Sequence, residues 1–165
     1  REQPADIEPS YWVLDAYLRL GDWDRAAALI QQLQQADALP TPDHVIRLAY
    51  LCARCGRSEW AGQLLELVER RCDDADALMT VANAYRDMGQ DARAVRVVRR
   101  VIDLQPDNAE AHVMLGLQLL RDGNDLAAAE EHLQRAELLA RRTNDTAVML
   151  QARIGMNLIR NGGTG

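Results

Sequence analysis

The sequence predicts an all-α chain, and three features carry that reading. Its 165 residues are 48% apolar yet only 4% aromatic, with no Phe. Ala, Leu and Arg are the commonest residues, which suits close-packed helices better than sheets built from β-branched and aromatic pairs. Glycines recur at Gly21, Gly56, Gly89 and Gly123, separated by 35, 33 and 34 residues. The apolar residues around each glycine follow a helical period, as in Tyr17-x-x-x-Gly21-Asp22-Trp23-x-x-Ala26 and Tyr85-x-x-x-Gly89-x-x-x-x-Ala94. Each glycine therefore marks a tight turn between two helices, where its freedom at positive φ is needed.

The units follow in order. The first, about residues 9–40, carries Val13, Leu14, Tyr17, Gly21, Trp23, Ala26, Ile30 and Leu33, but Ser10 stands where a large apolar residue belongs, which leaves its helix start open. The second, 42–74, opens with Thr41-Pro42, an N-cap followed by an N1 proline, and carries Val45, Leu48, Ala49, Cys52, Gly56, Ala61, Leu65 and Val68. The third, 75–108, is the most regular: Leu78, Val81, Ala82, Tyr85, Gly89, Ala94, Val98, Val101 and Pro106. Small Ala82 and Ala94 let its helices approach while Leu78, Tyr85 and Val98 fill the gaps, and Pro106 stops the second helix. The fourth, 109–142, has His112, Leu115, Gly116, Leu119 and Gly123, and its second helix fits as Ala129, Leu133 and Ala136 only if the turn holds one extra residue. A polar connection, Arg142-Thr143-Asn144-Asp145, then leads to a last helix over about 146–161 with Ile154, Gly155, Leu158 and Gly162 at first-helix spacing.

The nine residues of the third unit fall at the consensus offsets of the tetratricopeptide-repeat (TPR) family, which the chain resembles over a single domain of about residues 9–162. The resemblance implies a right-handed TPR superhelix of about four helix-turn-helix repeats plus a C-terminal capping helix. It also implies a non-enzymatic scaffold that binds a segment of a client protein in its concave groove. By the family's pattern the groove is lined by Tyr11, Asp15, Leu18 and Arg19, by Ile46, Tyr50 and Arg54, by Met79, Asn83 and Arg86, and by Val113, Leu117, Leu120 and Arg121, with Met156 from the last helix. Tyr and Met offer contact area, and arginines make forked hydrogen bonds; the plainer alternative is that the apolar members pack against neighbouring repeats. Asn at the place of Asn83 bonds a bound peptide's backbone in related proteins. Members that grip a terminal carboxylate carry Lys and Asn where this chain has Tyr11 and Asp15, and an acid there repels a carboxylate. The expected ligand is therefore an internal, apolar-anchored segment.

The chain is also similar to the bacterial secretion chaperones of this family, which points to a chaperone or adaptor in the cytoplasm. Two alternatives stay open: a periplasmic or membrane-tethered assembly factor for a pilus, secretin or polysaccharide export system, reached if an upstream signal has been removed, and a structural subunit of a homo-oligomer.

The remaining composition narrows the field. A net charge of −6, from 19 basic and 25 acidic residues, gives no uniform positive field for phosphate backbones, so no nucleic-acid partner is expected. No apolar run approaches a membrane span. Three cysteines are too few and too odd for a disulfide framework, which favours a reducing compartment. Cys52-Ala53-Arg54-Cys55 is a CxxC pair, yet it lies within a helix, Cys52 takes a core position, and no second pair follows, so packing rather than zinc or redox chemistry is expected. His44, His112 and His132 belong to different helices and read as isolated. No nucleophile elbow, phosphate loop or metalloprotease motif occurs, and neither cofactor nor metal is expected. Arg93, Arg96, Arg99 and Arg100 form a basic face on a second helix, flanked by Asp91 and Asp103, and read as solvated and partly paired. Trp12 and Trp60 sit off the consensus offsets, and the sequence assigns them no role.

Overall fold

The computed structural model describes residues 7–35, 41–123 and 125–162. Among them every regular element is a helix: α1 (Ile7–Leu20), α2 (Trp23–Gln35), α3 (Pro42–Arg54), α4 (Ser58–Arg71), α5 (Ala75–Asp87), α6 (Asp91–Leu104), α7 (Ala109–Asp122), α8 (Leu126–Thr143) and α9 (Thr146–Gly162). The all-α expectation holds, and α1 starts at Ile7, upstream of the ambiguous Ser10.

The turn glycines have φ of 72° at Gly21, 72° at Gly56, 71° at Gly89 and 68° at Gly123, a region costly for residues with a Cβ. After the first three, the next helix begins two residues on; after Gly123 it begins at Leu126, so the fourth turn does hold an extra residue. The turn between α8 and α9 has no glycine, and Asn144 takes the left-handed geometry instead, at φ 56°, as Asn tolerates better than most side chains.

Helix starts are fixed by acidic and amide caps. Asp74 accepts from the backbone N–H of Asp76, Asn108 from Ala111, and Asp125 from Ala128, each at 2.9 Å. Thr41 holds the N-cap place before Pro42 without a side-chain cap bond. Its Oγ1 is instead 2.8 Å from His44 Nδ1.

The chain forms two units, residues 1–90 and 91–165. In the first, α1 packs on α2 and α3, α3 on α4 and α5, and α4 also takes α2 and α5. Leu14, Ile30, Val45, Leu64, Leu65, Val68, Leu78, Val81 and Tyr85 are fully buried in its core. On the turn side, Arg57 lies 4.6 Å from the Trp23 ring and 5.4 Å from that of Trp60, and the two indoles meet at 6.2 Å. Trp60 is thus half-buried in a cation–π cluster that ties the start of α2 to the start of α4.

In the second unit α7 packs on α6, α8 and α9, and α8 on α9. Its core includes Val113, Leu133, Ala136, Ala140, Val148, Ala152 and Met156. Three helices converge on Leu133. A Cβ at Gly116 would stand 2.8 Å from Leu133 Cγ and 3.1 Å from the Ala129 carbonyl oxygen, and one at Gly155 would stand 2.8 Å from Leu133 Cδ1 and 2.9 Å from Leu117 Cδ2. Glycine at both places is what lets α7 and α9 close on the same leucine.

Candidate interaction site

Trp12, Asp15 and Arg19 share one face of α1, and His44, Arg47, Leu48, Leu51 and Arg54 recur at helical spacing on α3. The two faces enclose a cleft of about 330 Å³, which Tyr50 completes. Its floor is apolar, with Leu48 buried and Leu51 half-buried. Trp12 stands at the wall, 65% exposed, its ring tilted 60° to that of His44 at 5.7 Å.

The charge in the cleft is mostly positive. Arg19 Nε donates to Asp15 Oδ2 at 2.7 Å, which neutralises one cation. Arg47 and Arg54 have no ion-pair partner among the described residues. Tyr50 donates its hydroxyl to Asp87 Oδ2 at 3.3 Å; partial burial and then the Asp87 charge raise its pKa above the ordinary range, so the phenol stays a donor. A surface with an exposed indole, an apolar floor and two guanidinium groups that have no ion pair among the described residues suits a peptide that brings an apolar anchor and hydrogen-bond acceptors.

Of the expected groove residues, Asp15, Arg19, Tyr50 and Arg54 meet at this cleft. Tyr11 lies on α1, but its side chain is outside the described residues. Leu18, Ile46, Met79 and Val113 correct the positional reading: they are 2%, 3%, 4% and 3% exposed, because neighbouring helices approach closely enough to take those side chains into the core. Val113 and Met156 belong to the core formed with α8 and α9, and Leu117 packs against it. Asn83 and Leu120 are half-buried on α5 and α7. Arg86 is exposed, 3.7 Å from Asp87, and Arg121 is held by Asp91 at 3.2 Å and by the Gln118 side-chain oxygen at 3.2 Å.

The positional rule missed Trp12, His44, Arg47 and Leu51. Their signal was present as spacing: Trp12, Asp15 and Arg19 are three and four residues apart, as are Arg47, Leu51 and Arg54. The histidines needed a second correction. His112 Nδ1 and His132 Nδ1 are 2.9 Å apart, and His112 Nε2 is 3.0 Å from the Pro106 carbonyl oxygen. That oxygen only accepts, so Nε2 carries the proton, and the bare Nδ1 of His112 accepts from His132. Burial first, then His112, lowers the pKa of His132. Cys52 is buried in α3 and its thiol is pushed up to about 12, mainly by desolvation, which makes it a poor nucleophile. Among the described residues no three metal-ligating side chains come together.

A profile of the tetratricopeptide repeat matches residues 14–77 and 81–146. The chain belongs to the tetratricopeptide-repeat family. Its backbone is similar to that of MamA structures: a point mutant of MamA with TM-score 0.57 and 19% identity, covering 81% of this chain and 97% of that one, and a MamA RS-1 double mutant with TM-score 0.54 and 24% identity, covering 87% and 80%. A MamA fragment from Desulfovibrio magneticus RS-1 gives TM-score 0.52 and 24% identity, covering 84% and 78%. At these identities the likeness is one of fold. No curated protein is matched by the sequence. The repeat family is one of protein-binding, non-catalytic scaffolds. No described helix is long and apolar enough to cross a membrane.

Proposed function

We propose that the chain is a chaperone or adaptor that holds an extended segment of a client protein across α1 and α3. The observation that carries this reading is the cleft itself. Its volume, about 330 Å³, suits one large apolar side chain, and it sets exposed Trp12 beside Arg47 and Arg54 over a leucine floor. An apolar anchor seated on Leu48 and Leu51 is desolvated by Trp12, while the guanidinium groups fork to the carbonyls or carboxylates beside it. The similarity of the repeat pattern to bacterial secretion chaperones supports a client destined for secretion and a cytoplasmic site of action.

Selection of short random peptides displayed on phage tests the binding surface. Sequences enriched on the parent chain should be lost on Trp12→Ala and Arg54→Glu variants that keep the parent's helical circular dichroism. Enrichment of the same sequences on all three proteins would remove the cleft as the site. For the pathway, recovery from source cells of a secreted protein that binds the parent and not Arg54→Glu is the expected result; partners that are never secreted would overturn it.

A further inference from the structure

Granted that the cleft between α1 and α3 is the binding surface, its charges select the residues beside the apolar anchor. Arg19, Arg47, Arg54 and a single carboxylate, Asp15, line it. The α1 wall is electrically balanced, since Arg19 Nε donates to Asp15 Oδ2 at 2.7 Å. The α3 side is not: Arg47 and Arg54 are exposed and have no ion pair among the described residues. Beyond Tyr50, the Asp87 carboxylate is already engaged, by the Tyr50 hydroxyl at 3.3 Å and by Arg86 at 3.7 Å.

Arg47 and Arg54 are seven residues apart on α3, nearly two turns or about 10.5 Å along its axis, and so share one face. Leu51 stands between them, four residues after Arg47 and three before Arg54, about 6 Å from the first and about 4.5 Å from the second along the axis. An extended segment rises about 3.3 Å per residue and turns alternate side chains to the same side. With its anchor over Leu51, the residues two before and two after the anchor also face the cleft, each about 6.6 Å along the segment. Those positions fall close to the two arginines, whose long stems take up the difference.

We propose that the cleft takes a client segment of the form acid-x-apolar-x-acid, lying lengthwise over α3 with Glu or Asp on both sides of the anchor. A main-chain carbonyl meets a guanidinium's hydrogen bonds but leaves its charge uncompensated, whereas a carboxylate accepts both arms of the fork and cancels the charge. Asp15 sets the side, because it repels acids from the α1 wall and leaves them to Arg47 and Arg54. Lysines at the same places face two arginines and are rejected. The client segment is therefore acidic as well as apolar, and its grip weakens with salt, because both arginines are exposed.

The test is fluorescence anisotropy of two labelled peptides, centred on Glu-Ser-Leu-Ser-Glu and on Gln-Ser-Leu-Ser-Gln, added to the whole chain. At low salt the Glu peptide should bind about tenfold more tightly, as two exposed ion pairs provide, and in about 0.5 M NaCl the gap should close. The double variant Arg47→Gln, Arg54→Gln, changed only at exposed positions, should bind the two peptides alike, and Trp12→Ala should weaken both. Equal binding of the two peptides by the parent, lost on Trp12→Ala, would overturn the acid pattern and leave the cleft standing as the binding surface. No saturable binding of either peptide, or undiminished binding by Trp12→Ala, would overturn both. A preference for Glu that survives the loss of both arginines would overturn the acid pattern, since the acids would then sit elsewhere. So would a dimer of the parent in sedimentation that Arg54→Glu separates, since a second copy would then hold the cleft.

Discussion

Replacing Gly116 by alanine sets two effects of known sign against each other. Gly to Ala in a helix interior ordinarily stabilises by about 1 kcal/mol. Here the added Cβ stands 2.8 Å from Leu133 Cγ, 3.0 Å from Leu133 Cδ2 and 3.1 Å from the Ala129 carbonyl oxygen. Cγ is the branch point of a fully buried leucine and the oxygen is backbone, so neither yields by a simple rotamer change. Overpacking of this kind costs about 1–3 kcal/mol, and the upper part of that range applies when both obstacles are rigid. Gly116→Ala should therefore destabilise by about 1–2 kcal/mol net, the strain exceeding the propensity gain. In a Leu133→Ala background, which itself costs about 3–5 kcal/mol, the leucine obstacle is gone and Gly116→Ala should become neutral or stabilising. Urea unfolding of the four proteins at 25 °C measures the cycle. A Gly116→Ala chain more stable than the parent, or a penalty unchanged by Leu133→Ala, would show that α7 and α8 are not held at this distance by the glycine.

The His112–His132 pair predicts a pH dependence. Because the folded pKa of His132 lies below the ordinary 6.5, through burial, His112 and Arg99 against a contrary effect of Glu131, the unfolded chain takes up the proton more readily, so stability falls as pH drops below about 6.5 and levels off above it. His132→Gln, whose amide can still donate to His112, should flatten that part of the curve; parallel parent and variant curves from pH 7 to about 5 would refute the assignment. Arg57→Ala, which strips the cation from Trp23 and Trp60, should destabilise by about 1 kcal/mol and shift the tryptophan emission. An unchanged urea midpoint would mean that the indole pair alone ties α2 to α4.

Much of the helix framework was written in local signals. Positive φ at Gly21, Gly56, Gly89 and Gly123 follows from the one residue type that adopts it without strain, and the extra residue after Gly123 followed from the offset of Ala129 and Leu133. Asn144 was harder to see, because Asn fills a left-handed turn only sometimes and looks otherwise like any polar linker residue.

Side-chain exposure was not legible in the same way. A helical offset says which direction a residue points from its own helix, but not what stands there. Whether such a residue is core or surface depends on how closely the next helix approaches, and that distance is set by small residues such as Gly116 and Gly155 acting together with a leucine some distance away in sequence. The same holds for His112 and His132, twenty residues apart and joined only when α7 meets α8. The sequence by itself determined the helices, their turns and the repeat family, because those rest on backbone preferences and apolar period. Only the tertiary structure decided that Trp12 and Arg47 face an open cleft and that Val113 is buried, because burial belongs to pairs of surfaces and not to residues.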